Sequence, residues 1–461
     1  MPLIPPCQTS SIIDAGTTNP NSFREMEPLF LSVICGCNAG LFREALREVY
    51  IPRIQRGEVY FAANVLGARG ALLLVLVHFF KHGRWGSLVE NCSEGQGLTA
   101  EDQLFILTQA ALYLTATRGL AAPEARICYE RAEPLCHSLD RPLLLYSALI
   151  GRWRYSSQTD KLTAALRLAK RIYALAQQQN EPALMIGACR ALAINRYYLG
   201  DFEVAARYAK RGVRIWRTGK VEFPVEEVHT PVVLCLCFEA LSRWHLGEIT
   251  TCRAIMAEAI SVANELRDSH ALAQALYLSL TLGYYERNFS EVERLASDLI
   301  ELSTRQDFAF YLPVAEILRG WVRSASGNPA EGVAWIEDGI RRIRTTDSTL
   351  TLPYWLALKA EALNLANRTS EGLQAISEAD ALAERSEERV WCAELRRLRG
   401  VLLAAIGADE AQIEAAFSAA IATAKRQKSV SLEKRGEATY AEYRRQRPNA
   451  SGGCGFRLPL W

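Results

Sequence analysis

Histidine, cysteine and paired carboxylates are the residue types from which this 461-residue chain could build a reaction centre. His78 and His82 stand four apart, the spacing that puts two imidazoles on one helix face in zinc hydrolases. The residues between them are Phe79, Phe80 and Lys81, so no glutamate stands there as general base and a lysine sits where a cation would bind. The 12 cysteines are scattered along the chain without a C-x-x-C pair. The closest pairs are Cys35/Cys37 and Cys235/Cys237. Two residues on a helix are about 200° apart, so Cys235 and Cys237 point to opposite sides and read as buried small hydrophobes. The carboxylate pairs Glu226-Glu227 and Glu387-Glu388 fall in expected loops or helix ends and read as solvated surface. Neither a G-x-S-x-G elbow nor a G-x-x-x-x-G-K-[ST] phosphate loop is present. A non-enzyme with no metal and no cofactor is expected.

Composition bounds the alternatives. A hydrophobic fraction of 49% with 23% charged residues is the profile of a folded chain, and its length exceeds that of one ordinary domain. The net charge is only +2, so neither nucleic acid nor a membrane is expected as a partner. The longest apolar run, Ala71 to Val77 resuming after His78 with Phe79-Phe80, is half of what a bilayer crossing needs and reads as a buried helix. The opening MPLIPPCQTSSIIDAG lacks a basic start and a continuous apolar core, so a cytoplasmic location is expected.

What would position any site is a repeat. In "LGDFEVAARYAKRGVRIW" a Gly200-Asp201-Phe202 turn precedes small residues at Ala205, Ala209 and Gly212. Taking the first small residue after such a turn as an anchor gives Ala125, Ala165 and Ala205, 40 apart. Cys252, Val292, Gly332 and Gly372 continue at steps of 40, and Ile413 follows after 41. The one longer step, 47 residues from Ala205 to Cys252, coincides with "RTGKVEFPVEEVHTP", which reads as a lengthened loop near 217–230. About twelve residues before each anchor lies another small or compact position: Ala193, Ala240, Leu280, Gly320, Ala360 and Gly400. Prolines 142, 182, 231, 313 and 353 mark the start of this first helix, where a missing N–H is tolerated. Each unit is therefore a hairpin of helices A and B. Small residues let the two helices and the next hairpin approach closely, and only a stack of such hairpins buries its apolar stripes.

The small residue in helix A, the Gly-Asp-Phe turn and the Ala205, Ala209, Gly212 series resemble the tetratricopeptide repeat, at 40 residues instead of the usual 34. More narrowly, "ATRGLAAPEARICYERAEPLC" with the Ala165 and Ala205 repeats resembles the C-terminal repeat region of bacterial signal-transduction ATPases, adenylate cyclase-like proteins and transcription regulators. The resemblance covers residues 40 to 445 and implies an all-α, right-handed superhelical solenoid of antiparallel hairpins. The nucleotide-binding module of those relatives has no counterpart here.

Carried over by register, the repeat family's groove positions are Arg190, Tyr197, Tyr198, Trp244, His245, Tyr277, Tyr284, Tyr285, Trp321 and Arg397. Aromatic and arginine side chains are the types in which binding energy concentrates. The resemblance thus implies a scaffold or sensor for a protein or peptide partner, or the detached arm of an ATPase or cyclase module acting in trans. An all-α toroid enzyme is the third reading, without a motif to support it. Residues 1–25 read as a tail, 26–100 as irregular hairpins (Ala45 and Leu88 near anchor positions), 101–445 as the solenoid, and 446–461 as a second tail. From Lys425 onward nine Lys or Arg face three Glu, a basic terminal helix and tail read as solvated.

Overall fold

A computed structural model describes residues 20–57, 60–89, 97–159, 161–219, 221, 230–306, 308 and 310–446. It divides into two compact units, residues 1–155 and 156–461.

In the first unit, α1 (Phe23–Asn38), the short α2 (Phe42–Glu44) and a π-helical segment (Ala45–Gln55) precede α3 (Phe61–Asn64) and α4 (Arg69–Leu76). The hairpin of α5 (Ala100–Arg118) and α6 (Pro123–Ser138) follows, then α7 (Pro142–Thr159), which runs across the boundary. Gly36 on α1 faces Ala45 so closely that an added Cβ would sit 3.0 Å from the alanine methyl. Thr99 and Asp102 form a reciprocal capping box at the start of α5. The apolar run from Ala71 is helical only to Leu76; Val77–Phe79 is a 3-10 turn, Phe80 is extended and His82 has φ +51°. His78 and His82 therefore share no helix face, which corrects the spacing argument. Among the described residues no cluster of three His, Cys, Asp or Glu could hold a metal ion, and no helix is long and apolar enough to cross a membrane.

The second unit is a stack of hairpins. The remaining helices are α8 (Leu162–Gln179), α9 (Pro182–Tyr198), α10 (Phe202–Thr218), α11 (Pro231–His245), α12 (Ile249–Glu265), α13 (Ser269–Tyr285) and α14 (Phe289–Gln306). They continue with α15 (Tyr311–Ala325), α16 (Pro329–Arg344), α17 (Leu352–Leu365), α18 (Thr369–Ser386), α19 (Cys392–Ala405), α20 (Glu410–Arg426) and α21 (Val430–Gln446). Odd-numbered helices are the A helices and even-numbered ones the B helices. The fold is an all-α, tetratricopeptide-like superhelical array, as the 40-residue period implies. Prolines 182 and 231 open α9 and α11, and Pro353 is the second residue of α17.

The small positions are where helices meet. A Cβ on Gly320 would lie 2.8 Å from the Gly332 carbonyl oxygen, one on Gly372 3.2 Å from the Ala360 oxygen, and one on Gly400 2.8 Å from the Phe417 ring. These are the A-to-B seams of three successive hairpins. Gly212 serves the other seam: a Cβ there would come 2.7 Å from Cys235 Sγ of the next hairpin. Cys235 and Cys237 are both buried free thiols, as their spacing implies.

The turns repeat as strictly as the seams. After each A helix one residue takes left-handed φ, namely Gly200, Gly247, Arg287, Gly327, Asn367 and Gly407. Four of these six are glycine, the residue that adopts this region without penalty. Arg287 stands in the same place with a side chain and φ +54°, a conformation that costs an L-residue about 1–2 kcal/mol.

Candidate functional site

The C-terminal ends of α9, α11, α13 and α15 and the turns after them converge with residues of α17, α19 and α21 on one aromatic and charged layer in the second unit. Tyr197 of α9 shares a hydrogen bond of 2.7 Å with Tyr285 of α13. Tyr285 stacks on Trp244 with ring centroids 4.4 Å apart, and His245 stacks on Phe202 at 3.7 Å. Tyr284 packs edge-on against Trp321 and Tyr354, and Tyr354 stacks on Trp391 at 4.4 Å. Aromatic pairs in offset or edge-to-face geometry add to the burial of their area.

Five charged groups hold this layer together. Glu361 accepts from Arg287 at 2.6 and 2.9 Å, from Tyr284 Oη at 2.7 Å and from Trp321 Nε1 at 2.9 Å. Glu394 accepts from Arg287 at 2.9 Å and from Arg397 at 2.8 and 2.9 Å, and Arg435 Nη1 lies 3.5 Å away. Burial alone pushes the Glu394 carboxyl up, but the Arg397, Arg435 and Arg287 guanidiniums hold it well below the carboxylate range. Arg287 is the plug of the arrangement, and its side chain explains why a non-glycine keeps the left-handed turn.

The layer is closed by hairpins far apart in sequence. His245 Nδ1 meets Ser429 Oγ at 2.8 Å, Ser431 Oγ donates to the Trp244 carbonyl, and Arg435 donates to the Tyr285 carbonyl and lies over the Trp244 ring. The N–H groups of Arg389 and Val390 donate to the Tyr198 carbonyl at 2.7 and 3.1 Å. Lys428 pairs with Glu203 at 2.6 Å. The end of the array, α19 to α21, thus returns to α9 and α11 at its beginning. One continuous buried apolar cluster runs from Leu162 to Tyr443.

All ten residues placed by register as groove positions are buried: Arg190, Tyr197, Tyr198, Trp244, His245, Tyr277, Tyr284, Tyr285, Trp321 and Arg397. The structure brings most of them together in this layer, but none lines an open groove. For Tyr198, Trp244, His245 and Tyr285 the physical reason is the closure, which sets Arg389, Trp391, Ser429, Ser431 and Arg435 against them; the others are buried between neighbouring hairpins. The basic terminal helix is accordingly not solvated all round: Arg435 is turned into the layer, with 14% of its side chain exposed.

Glu387 and Glu388 are not both solvated, contrary to the expectation for a carboxylate pair at a helix end. Glu387 ends α18 at the surface, where it accepts from the Thr163 N–H at 3.0 Å. Glu388 is fully buried and accepts from Trp391 Nε1 and from the Thr351 N–H. Burial pushes its carboxyl up to about 7. His245 is shifted the opposite way, held well below the imidazole range by burial and by Arg435. Glu226-Glu227 lie outside the described residues. In the first unit, a cleft is lined by Arg43, Arg47, Glu48, Thr99 and Glu101, of which Arg47 pairs with Asp102 and Glu101 with Arg141, each at 2.6 Å.

Tyr197, Trp244, Tyr284, Tyr285, Trp321 and Arg397 were legible by register, whereas Tyr354, Trp391 and the charged partners Glu361, Arg287, Glu394 and Arg435 were not. Glu361 lies one 40-residue period after Trp321, and Arg287 occupies a turn position that is glycine in four of the six turns. Those were the available signals. Glu394 and Arg435 carry none that spacing distinguishes from ordinary surface charge.

No protein-family model matches the chain. A curated relative, the uncharacterized protein R02095 of Rhizobium meliloti (strain 1021), is 22% identical over 338 residues, which are 72% of this chain. The match spans 32% of that relative's length, so the chain corresponds to about a third of it. Among solved structures, a Rap protein complexed with Competence and Sporulation Factor aligns over 76% of this chain and 97% of its own, with 11% identity and a TM-score of 0.49. The Rap conjugation gene regulator of plasmid pLS20 in complex with the Phr* peptide aligns over 88% and 97%, with 10% identity and a TM-score of 0.43. Bacillus thuringiensis PlcR in complex with the peptide PapR7 and DNA aligns over 54% and 83%, with 13% identity and a TM-score of 0.39.

Proposed function

We propose that this chain is a non-enzymatic regulatory scaffold of a bacterial signalling system that binds a protein or peptide partner on its inner wall. The observation that carries the reading is the way that wall is closed. Its Trp244, His245 and Tyr285 are covered by the chain's own α21 and the residue before it through a few polar bonds, Ser429 to His245, Ser431 to Trp244 and Arg435 to Tyr285. A partner that supplies equivalent hydrogen bonds and apolar area competes with Ser429 and α21 for Trp244, His245 and Tyr285. Binding and opening are then one equilibrium, with affinity reduced by the fraction of molecules that are closed.

The test is capture of partners from the native cell extract by wild type and by S431A/R435A, with hydrogen exchange on the recovered complex. The reading expects one prey, retained more strongly by the variant, with exchange rising in 430–446. Equal retention, or unchanged exchange in that helix, refutes it. The direct triple substitution of Tyr197, Trp244 and Tyr284 is uninformative because each truncation leaves a cavity of several kcal/mol in a packed layer.

A second reading is favoured by one observation, that the curated relative is about three times the length of the matched region. In it, the chain is the regulatory arm of an ATPase or cyclase module supplied in trans. A phosphate-loop module encoded beside this chain, whose activity changes when the purified chain is added, is its expected outcome.

A further inference from the structure

Solvent-facing charge over much of the second unit is matched locally. Arg294 reaches Glu291 at 2.6 Å and Asp298 at 2.8 Å, Arg323 reaches Glu331 at 2.8 Å, and Arg399 reaches Asp380 at 2.8 Å. Helices α8 and α10 break this pattern. α8 carries Arg167, Lys170 and Arg171 with no Asp or Glu. α10 carries Arg207, Lys210, Arg211, Arg214 and Arg217 with one carboxylate, Glu203, which Lys428 already engages.

The two helices present one face. Tyr173 of α8 and Tyr208 of α10 meet edge-on with ring centroids 5.8 Å apart, and the Arg211 guanidinium lies 5.3 Å from the Tyr173 ring centre. Arg217 is paired with Glu258 of α12. Arg167, Lys170, Arg207 and Arg214 are exposed and make no ion pair among the described residues. Lys210 is exposed too and makes no ion pair among the described residues. Cations at spacings of three and four along α10 repel one another, so the intramolecular energetics do not account for them. The whole-chain charge of +2 conceals this segregation, because α18 alone carries Glu371, Glu378, Asp380 and Glu384.

We propose that the α8–α10 face binds the phosphate backbone of a single-stranded nucleic acid. Six of its eight cations are arginine, whose planar fork pairs bidentately with phosphate. Half-buried Tyr208 stands between Arg207 and Lys210 in α10 and supplies aromatic surface beside the cations, the combination that sequence-tolerant single-strand binders use. A lipid surface is a poorer fit, because no large exposed apolar side chain lies on either helix to insert. The inference is independent of the inner-wall reading.

The experiment measures fluorescence anisotropy of a fluorescein-labelled 20-nucleotide oligothymidine between 50 and 300 mM NaCl. Each neutralised phosphate of a single strand contributes about −0.7 to the slope of log K against log salt. Five available cations give wild type a slope of about −3.5, and R207A/K210A/R214A lowers it to about −1.4. The affinity at 50 mM NaCl falls at least about tenfold in that variant. Alanine is the best helix former and all three side chains are exposed, so α10 persists, which circular dichroism checks. R294A/R323A, which removes cations that are already paired, leaves the slope unchanged. Absence of binding at 50 mM NaCl, an unchanged slope in the triple variant, equal binding of a 20-residue polyglutamate, or sedimentation with phosphatidylserine vesicles without oligonucleotide binding each overturn the proposal.

Discussion

Glu361 and Arg287 form the most heavily bonded pair of the inner layer, and separating them has a calculable cost. The carboxylate accepts four hydrogen bonds, two of them from Arg287 at 2.6 and 2.9 Å, and both side chains are buried. At an effective dielectric of about 20 and about 4 Å between charge centres, the pair attraction is about 4 kcal/mol. Glu361→Gln keeps the shape, removes the charge and turns an amide N–H₂ toward guanidinium donors. It is expected to destabilise the second unit by about 3–5 kcal/mol. Arg287→Gly leaves Glu361 buried with only Tyr284 and Trp321 as donors, but relieves a left-handed φ worth about 1–2 kcal/mol, so its loss is about 2–4 kcal/mol. The double variant leaves neither charge stranded and falls short of the sum by at least about 2 kcal/mol. The assay is urea unfolding followed by tryptophan fluorescence on the four chains of the cycle. Additivity within about 0.5 kcal/mol refutes the claim that the two groups act as one unit.

Three further outcomes follow from other parts of the array. Glu388 has a folded pKa of about 7, above that of the unfolded chain, so the unfolded state gives up its proton first. Its contribution to stability is fully present below about pH 4.5 and declines by about 3 kcal/mol as the pH rises to about 7; in E388Q thermal scans this segment of the pH profile flattens. His245 has the opposite sign: its folded pKa is lowered, so it contributes stability above the unfolded pKa near 6.5, lost as the pH falls. H245F removes that acid-side loss, and a retained loss contradicts the assignment. Gly332→Ala drives a methyl into Ser324 Oγ and the Gly320 carbonyl and is expected to cost about 1–3 kcal/mol, whereas Gly219→Ala meets open space and shifts the midpoint by less than about 0.5 kcal/mol.

The hairpins were legible because their physics is local. Ala205, Gly332 and Gly372 had to be small for helices to approach at a fixed register, and that requirement prints itself on the chain every 40 residues. The closure was not legible, since it depends on how a small rotation per hairpin accumulates, and no single residue encodes that. Glu388 shows the consequence. Beside Glu387 at a helix end it reads as surface, yet it is buried, with the Thr351 N–H from the α17 hairpin on its carboxylate. His78 and His82 failed for a local reason, the end of α4 at Leu76, and Phe80 takes an extended conformation between them.

An open solenoid has each repeat touching only its neighbours, whereas here the first and last hairpins of the second unit are joined. The most direct measurement is the distance between spin labels at positions 203 and 428 by double electron–electron resonance. Both side chains are exposed and form an ion pair at 2.6 Å. Closure predicts a narrow distribution below about 25 Å, since two labels add only several ångströms each to a contact. Five intervening hairpin steps of about 9–10 Å would set the labels about 45–50 Å apart in an uncurled array, and a distribution centred there contradicts the account.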